Sequence, residues 1–521
     1  MFVKNICKER IEQNRGITLV ALVITIVILI ILATVTISTV FGENGLIEYA
    51  KEARDKSANS TVAESEDMNR LLAEYANVMA EDEEIQLPDI YVDSVLPSAP
   101  KLSEGMTPVK YEEGTGWVKT NEYDSSWYNY ANKEWANIVL GDATFIESGD
   151  KEILDEEKAY SMLVWIPRYA YQITSGYHQS GAEINPSDGT TGAGNINIVF
   201  IDTENKNKAG TTTYSEEYPN YATGSGMEDY VVHPAFNYGG TKISGFWVGK
   251  YETSHTGCTT DKSTGETDTN VTTLTPMIKA GVTSWRNITI SNMFTVGINL
   301  NNNGNPYGLN TNDNVVDPHM MKNTEWGAVA YLSQNAVYGK GSEVWKNSNS
   351  NYITGQAGDS ANASESINTN GYNTSNGQQA STTGNVTGVY DMSGGSAEYT
   401  AAYVNNQNSN LNLYGFSIIE SDARYKDVYE AESSDSSQNY ILSSPDNGKY
   451  GDAIYETSSN ANSPNNNSWN SDWSDFPYKQ WTFIDRGGAA KGDTIIGIFD
   501  FGKNTGSTRD FISFRLVFPV I

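Results

Sequence analysis

The chain has 521 residues, and its 64 Asp and Glu against 34 Lys and Arg leave a formal net charge of −30. So acidic a chain offers no basic surface to neutralise phosphates, which excludes a nucleic-acid partner. Its two cysteines, Cys7 and Cys258, exclude a disulfide framework and a Cys-rich metal site, so stability must come from packed apolar cores.

The chain opens with a basic leader, residues 1–16, that carries Lys4, Lys8, Arg10 and Arg15 and ends in Gly16. An apolar run from Ile17 to Ile37 follows, and no charge appears before Glu43. As a helix the run is long enough to cross a hydrocarbon core of about 30 Å. The positive flank keeps the N-terminus in the cytoplasm and delivers the rest of the chain outside, as a single-pass cell-membrane protein with an extracellular head. Arg15-Gly16-Ile17-Thr18-Leu19-Val20 resembles the processing site of type IV prepilins and pseudopilins. The resemblance implies a prepilin peptidase that cuts after Gly16, methylation of Ile17, and other pilins as partners. Most pilins carry Glu at the fifth mature position, where this chain has Ala21. A carboxylate in hydrocarbon is kept only when it has a partner, so its absence points to a tip or minor subunit, or an anchor, and not to the repeating one. A plain N-terminal anchor stands as the alternative.

Phe41 to Gly45 breaks the apolar run, and helical character resumes from Leu46 to Met79. Met68, Leu71, Leu72, Tyr75 and Met79 form an amphipathic stripe that packs on the protein's own head or on a partner helix. A membrane and stalk helix is therefore expected over residues 17–82. Glu81 to Glu84 with Pro88, Pro97, Pro100 and Pro108 mark an extended acidic linker over residues 83–114. Trp127, Tyr128, Tyr130 and Trp135 with short polar spacers predict a small aromatic β module over residues 115–145. Such a cluster serves as the core of a small sheet more readily than as a sugar-stacking platform.

The head spans residues 155–521. Ser161 to Tyr169, Ile243 to Glu252, Met320 to Ala330 and Gly388 to Thr400 resemble, in the same order, four elements of the formylglycine-generating-enzyme (sulfatase-modifying-factor) family. The ending, Asp485-Arg486-Gly487-Gly488 and then Ile512 to Val517, is similar too. The resemblance implies a C-type-lectin-like fold. It does not carry the family's oxidase chemistry, which needs a late cysteine pair, because no cysteine follows Cys258. At the family's calcium-associated element only Glu398 is kept; Gly395 and Ala397 replace the Asn and Trp. No cofactor is expected, and calcium is the one metal the resemblance brings.

The four histidines (His178, His233, His255, His319) are too far apart for a metal motif and read as loop or core residues. Asn310 to Asn314 with Asp317 offers oxygen ligands at alternating positions but lacks the fixed glycine and terminal glutamate of a calcium loop, so an Asn-rich turn is the stronger reading. Three polar tracts, Asn347 to Asn385, Asn405 to Asn412 and Ser458 to Asn470, are expected as surface loops or mobile segments. The segment Tyr478 to Arg509 corresponds to the ligand face of the resembled fold. Trp473, Tyr478, Trp481, Asp485, Arg486, Asp493 and Phe499 are its candidate ligand contacts, with Arg486 favoured as a structural arginine.

Together these readings give an α+β chain: a long pilin-like helix, a small β module and a large lectin-like head. The function expected is a non-enzymatic surface adhesin or ligand-binding subunit for a protein or glycan. A surface glycan-acting enzyme and a structural pseudopilin of a secretion system are the alternatives.

Overall fold

The computed structural model describes residues 96–521 except 142–144, 146, 178–192, 219–225, 259–270, 303, 313–314, 432–448 and 460–463. The described residues belong to one unit, Ser94–Ile521. The leader, the apolar run, the stalk helix and the first part of the linker lie outside them. Among the described residues no helix is long and apolar enough to cross a membrane.

The architecture is β-rich. Strands β1 (Thr107–Glu112) and β2 (Gly116–Lys119) form a hairpin, followed by β3 (Asn137–Leu140) and β4 (Ser161–Pro167). A three-stranded sheet holds β5 (Tyr169–Ile173), β6 (Ile196–Phe200) and β7 (Val231–Val232). β8 (Asn237–Tyr238) and β9 (Thr241–Lys242) make a short hairpin before β10 (Gly245–Gly249). Then come α1 (Ile290–Asn299), β11 (His319–Met320), α2 (Asn323–Gln334), and the short pair β12 (Gln356–Ala357) and β13 (Asn370–Gly371). β14 (Ala397–Asn405), α3 (Ser409–Ile419), β15 (Asp427–Glu430), β16 (Phe483–Arg486), β17 (Phe501–Asn504), β18 (Ile512–Phe514) and β19 (Leu516–Pro519) complete the order.

The largest sheet runs β11-β19-β10-β4-β3-β1-β2, and a five-stranded sheet is built on β14, which pairs β15, β16 and β18, with β17 beyond β16. β2 and β3 therefore belong to the same sheet as β4 and β10, where the sequence suggested a module of its own over residues 115–145. The linker expected up to residue 114 is already strand from Thr107, because Val109 and its neighbours find partners on both β2 and β3. Trp127 and Trp135 lie in the common core as expected, Trp127 stacked 6.5 Å from Trp247 and Trp165 a further 5.2 Å away. Each such ring buries about 150–250 Å², a gross gain on the order of 4–6 kcal/mol.

Local chemistry sets the helices. In α1, Ile290, Met293, Phe294 and Gly297 recur at helical spacing and face inward, and the Thr289 hydroxyl caps the first turn by accepting from Asn292 N at 3.3 Å. Gly297 is required where β11 crosses, since a Cβ there would stand 2.8 Å from Met320 N. α2 starts with Glu325 at its third position accepting from Lys322 N at 2.8 Å, half of a capping box.

Charged groups inside the core are matched. Lys250, wholly buried, donates to Asn137 Oδ1 (2.9 Å), Val386 O (2.7 Å) and Gly388 O (2.8 Å), one acceptor for each ammonium proton. Burial nevertheless pulls its pKa well down. Arg515 and Glu398 form a buried, bidentate ion pair between β19's approach and β14.

The polar tracts meet expectation only in part: residues 359–371 and 373–376 are exposed or half-buried, but the ends of the first tract pack inward. Asn347, Ser348, Asn349, Thr354, Ser381 and Thr382 are all buried. Asn349 N donates to Asn347 Oδ1 (3.1 Å) and Asn351 N to Asn349 Oδ1 (3.0 Å), successive turns in which side-chain oxygens stand in for backbone carbonyls. A segment poor in apolar residues can pack inward when its own side chains satisfy its backbone. Asn406 is likewise buried ahead of α3, and Ser458, Ser468 and Trp469 are buried within the third tract.

Candidate functional site

The seven candidate contacts separate into distinct environments. Tyr478 and Trp481 come together at a tight turn: Trp481 N donates to Tyr478 O at 3.1 Å, and Lys479 takes a left-handed φ of 52°. Their rings meet at 5.5 Å. The turn is pinned from α3's entry, where Asn406 Nδ2 donates to Lys479 O (2.8 Å) and Asn410 Nδ2 to Gln480 O (2.9 Å). Lys503 on β17 lies 4.1 Å from the Tyr478 centroid and 5.3 Å from that of Trp481, and pairs with Asp475 at 2.5 Å. Burial raises the Asp475 carboxyl, against the pull of Lys503.

Trp473 runs beside β17, with N–H to Ile495 O (2.9 Å) and carbonyl to Phe501 N (3.1 Å). Like Tyr478 and Trp481 it is half-buried. Among the described residues the indole N–H of Trp473, the indole N–H of Trp481 and the hydroxyl of Tyr478 make no hydrogen bond. Three aromatic side chains thus keep a polar edge free at the surface, which suits stacking plus hydrogen bonding to an incoming ligand.

Asp485 is placed elsewhere. Register puts Lys503 opposite Ile484 and Asp485 opposite Gly502, so Asp485 and Lys503 occupy opposite faces of the sheet. Asp485 accepts from Asn504 Nδ2 at 3.1 Å, and burial pushes it up to about 6. Asp493 is exposed on the preceding loop and accepts from Thr494 N at 2.8 Å.

Two candidates face inward and are corrected as surface contacts. Phe499 is fully buried against Trp469, their centroids 5.1 Å apart. Arg486 is fully buried and donates to Asn323 Oδ1 (2.9 Å), Asp452 O (2.9 Å) and Ala453 O (3.1 Å), the structural role favoured for it from the sequence. Along β16, Phe483, Ile484 and Arg486 are buried and Asp485 is half-buried.

Lys503, Asp475, Asn406 and Asn410, which build the turn's surroundings, carry no motif that singles them out. The only usable signal is that Lys503 falls within the segment assigned to the ligand face. Among the described residues no three His, Cys, Asp or Glu side chains group as a metal site. Asp317 is taken up by Arg424 (3.3 Å), Tyr238 (3.0 Å) and Tyr425 (2.7 Å). His233 and His319 are core residues, the latter bonded to Glu325 at 3.0 Å.

No protein-family model matches the chain, and no curated protein matches it either.

Proposed function

We propose that this chain is a surface-displayed ligand-binding subunit. Its pilin-like N-terminus, cut after Gly16 to leave a methylated Ile17, is held in the membrane by Ile17–Ile37 and mounts a C-type-lectin-like head outside the cell. The head binds an external protein or glycan through the Tyr478–Trp481 turn, with Lys503 beside it and Trp473, along β17, as a further contact. The observation that carries this reading is the pair of half-buried aromatic rings, Tyr478 and Trp481, whose polar edges make no hydrogen bond among the described residues and which are held by a turn that is itself fixed at both central carbonyls. The order of the quoted segments along the chain supports the fold assignment, and the acidic composition supports an exposed, soluble head.

The test has two parts. Full-length chain is screened against arrayed glycans and surface proteins, and Tyr478→Ala/Trp481→Ala is expected to abolish whatever binding is found while leaving the melting profile intact. Unchanged binding by the double variant, or hydrolysis of cell-wall sugars by the purified chain, would overturn the reading. Mass spectrometry of the native N-terminus is expected to show methylated Ile17; an intact Met1 would remove the pilin-like part.

A further inference from the structure

A second surface feature lies outside that turn and shares no contact residue with it. Arg286 follows the buried Trp285 and is itself only 5% exposed. Its Nη1 donates to the backbone carbonyl of Asp510, and Nε and Nη2 make no hydrogen bond. The guanidinium carbon lies 4.3 Å from the ring centroid of Tyr352. Lys491, exposed on the loop after β16, places its ammonium 5.4 Å from the same centroid. That loop is fastened from below, where buried Lys346 Nζ donates to Gly492 O at 2.8 Å.

Tyr352, the ring that both cations approach, is held by its backbone. Its N–H donates to Asn349 O (2.8 Å), its carbonyl accepts from Ser284 N (3.0 Å), and its φ is 58°, a conformation bulky side chains rarely adopt. Its hydroxyl makes no hydrogen bond. The carboxyl groups nearest in effect are Glu252, Glu365 and Asp510, and among the described residues none forms an ion pair with Arg286 or Lys491. Burial pushes Glu252 well up, toward its neutral form. In a chain of net charge −30, two unpaired cations gathered on one ring are out of keeping with the rest of the surface.

We infer that Arg286, Tyr352 and Lys491 form a binding site for an oxyanion, a carboxylate, sulfate or phosphate group. A buried guanidinium without a carboxylate partner is costly, and two like charges on one ring repel; a bound oxyanion answers both, taking hydrogen bonds from Arg286 Nη2, Lys491 Nζ and the Tyr352 hydroxyl. The niche is too shallow in donors to enclose a large ligand and suits a single anionic group, free or carried on a larger molecule.

Calorimetric titration of the full-length chain with sodium sulfate, sodium phosphate and sodium acetate at constant ionic strength tests the site directly. At least one anion is expected to bind saturably with one site per chain. Lys491→Glu, at an exposed position, is expected to weaken it by about tenfold or more, as loss of one charge-assisted hydrogen bond implies. Lys101→Glu, an equal charge change at an exposed position outside the site, is expected to leave it within about twofold. Arg286→Lys keeps the charge and loses the planar fork, and is expected to weaken binding too. Absence of saturable binding by all three anions, or equal losses in Lys491→Glu and Lys101→Glu, overturns the inference. Because the probes are small anions, failure here leaves the Tyr478–Trp481 reading standing, and loss of that reading leaves this one standing.

Discussion

Replacing Arg515 by Met should be among the most damaging single changes in the head. Its guanidinium donates from Nε to Glu398 Oε2 (3.1 Å), from Nη2 to Glu398 Oε1 and to Tyr390 O (2.9 Å), and from Nη1 to Gly249 O (2.7 Å). Arg515 is completely buried and Glu398 nearly so. Two more buried carboxyl groups, Glu252 and Asp391, lie in its field, both raised by burial, Asp391 to about 6. Methionine fills much of the volume but strands one buried carboxylate and two backbone carbonyls. Breaking a buried pair from one side costs about 3–5 kcal/mol. With an m value of about 3 kcal/mol/M, that lowers the urea midpoint by roughly 1–2 M.

The pH dependence sharpens this test. Burial already pushes Glu398 up to about 7, against the pull of Arg515. A carboxyl group with a raised folded pKa contributes stability below its unfolded pKa and loses it as pH rises through the folded value. Without Arg515 the folded pKa rises further, so the variant's deficit is greatest at pH 8 and shrinks toward pH 5. Adding Glu398→Gln to Arg515→Met removes the stranded charge and should restore part of the loss. Urea unfolding of the wild type, both single variants and the double variant at pH 5 and pH 8 measures every term. A loss below about 1 kcal/mol at pH 8, or a double variant less stable than Arg515→Met, would refute the reasoning.

Gly395→Ala should destabilise by about 2 kcal/mol or more, because its φ is 68° and a Cβ would stand 2.3 Å from Glu252 Oε1; thermal melts will show it. Glu456, buried and raised by burial to about 7, accepts from Tyr171, Tyr331 and Gly451 N. Its contribution is therefore present at acid pH and lost as pH rises through about 7, and Glu456→Gln should narrow the gap in melting temperature between pH 5 and pH 8. Trp481→Ala, at a half-buried edge position, should cost about 1 kcal/mol or less, in contrast to about 3–5 kcal/mol for Trp127→Ala in the core; chemical denaturation of the pair separates rim from core.

Much of the frame was legible along the chain. The segment quoted from Ser161 holds β4, that from Ile243 holds β10, that from Met320 opens α2, and that from Gly388 runs into β14. The aromatic cluster around Trp127 was rightly read as core. Hydropathy failed where polar side chains do backbone work: the two ends of the Asn347–Asn385 tract pack inward through hydrogen bonds that no periodicity records. It failed again at Lys250 and Arg515, whose burial depends on acceptors more than 100 residues away in sequence. Of the candidate contacts, Tyr478 and Trp481 were found together because both sit on one turn, whereas Phe499 looked available only because composition cannot tell which side of a strand or loop meets the core.

The last two strands have a further consequence. β18 is paired with β14 in the five-stranded sheet, while β19 lies between β10 and β11 in the seven-stranded one. Both sheets thus wait on residues 512–519, and most of their partners precede them by more than a hundred positions. A nascent chain halted before that point leaves an open slot between β10 and the edge strand β11 of its main sheet and cannot close it from local contacts. Synthesis must then reach these residues before the fold locks, so a shortened product is left with exposed strand edges for proteases to find. The closing strands make completeness of the polypeptide a condition of folding.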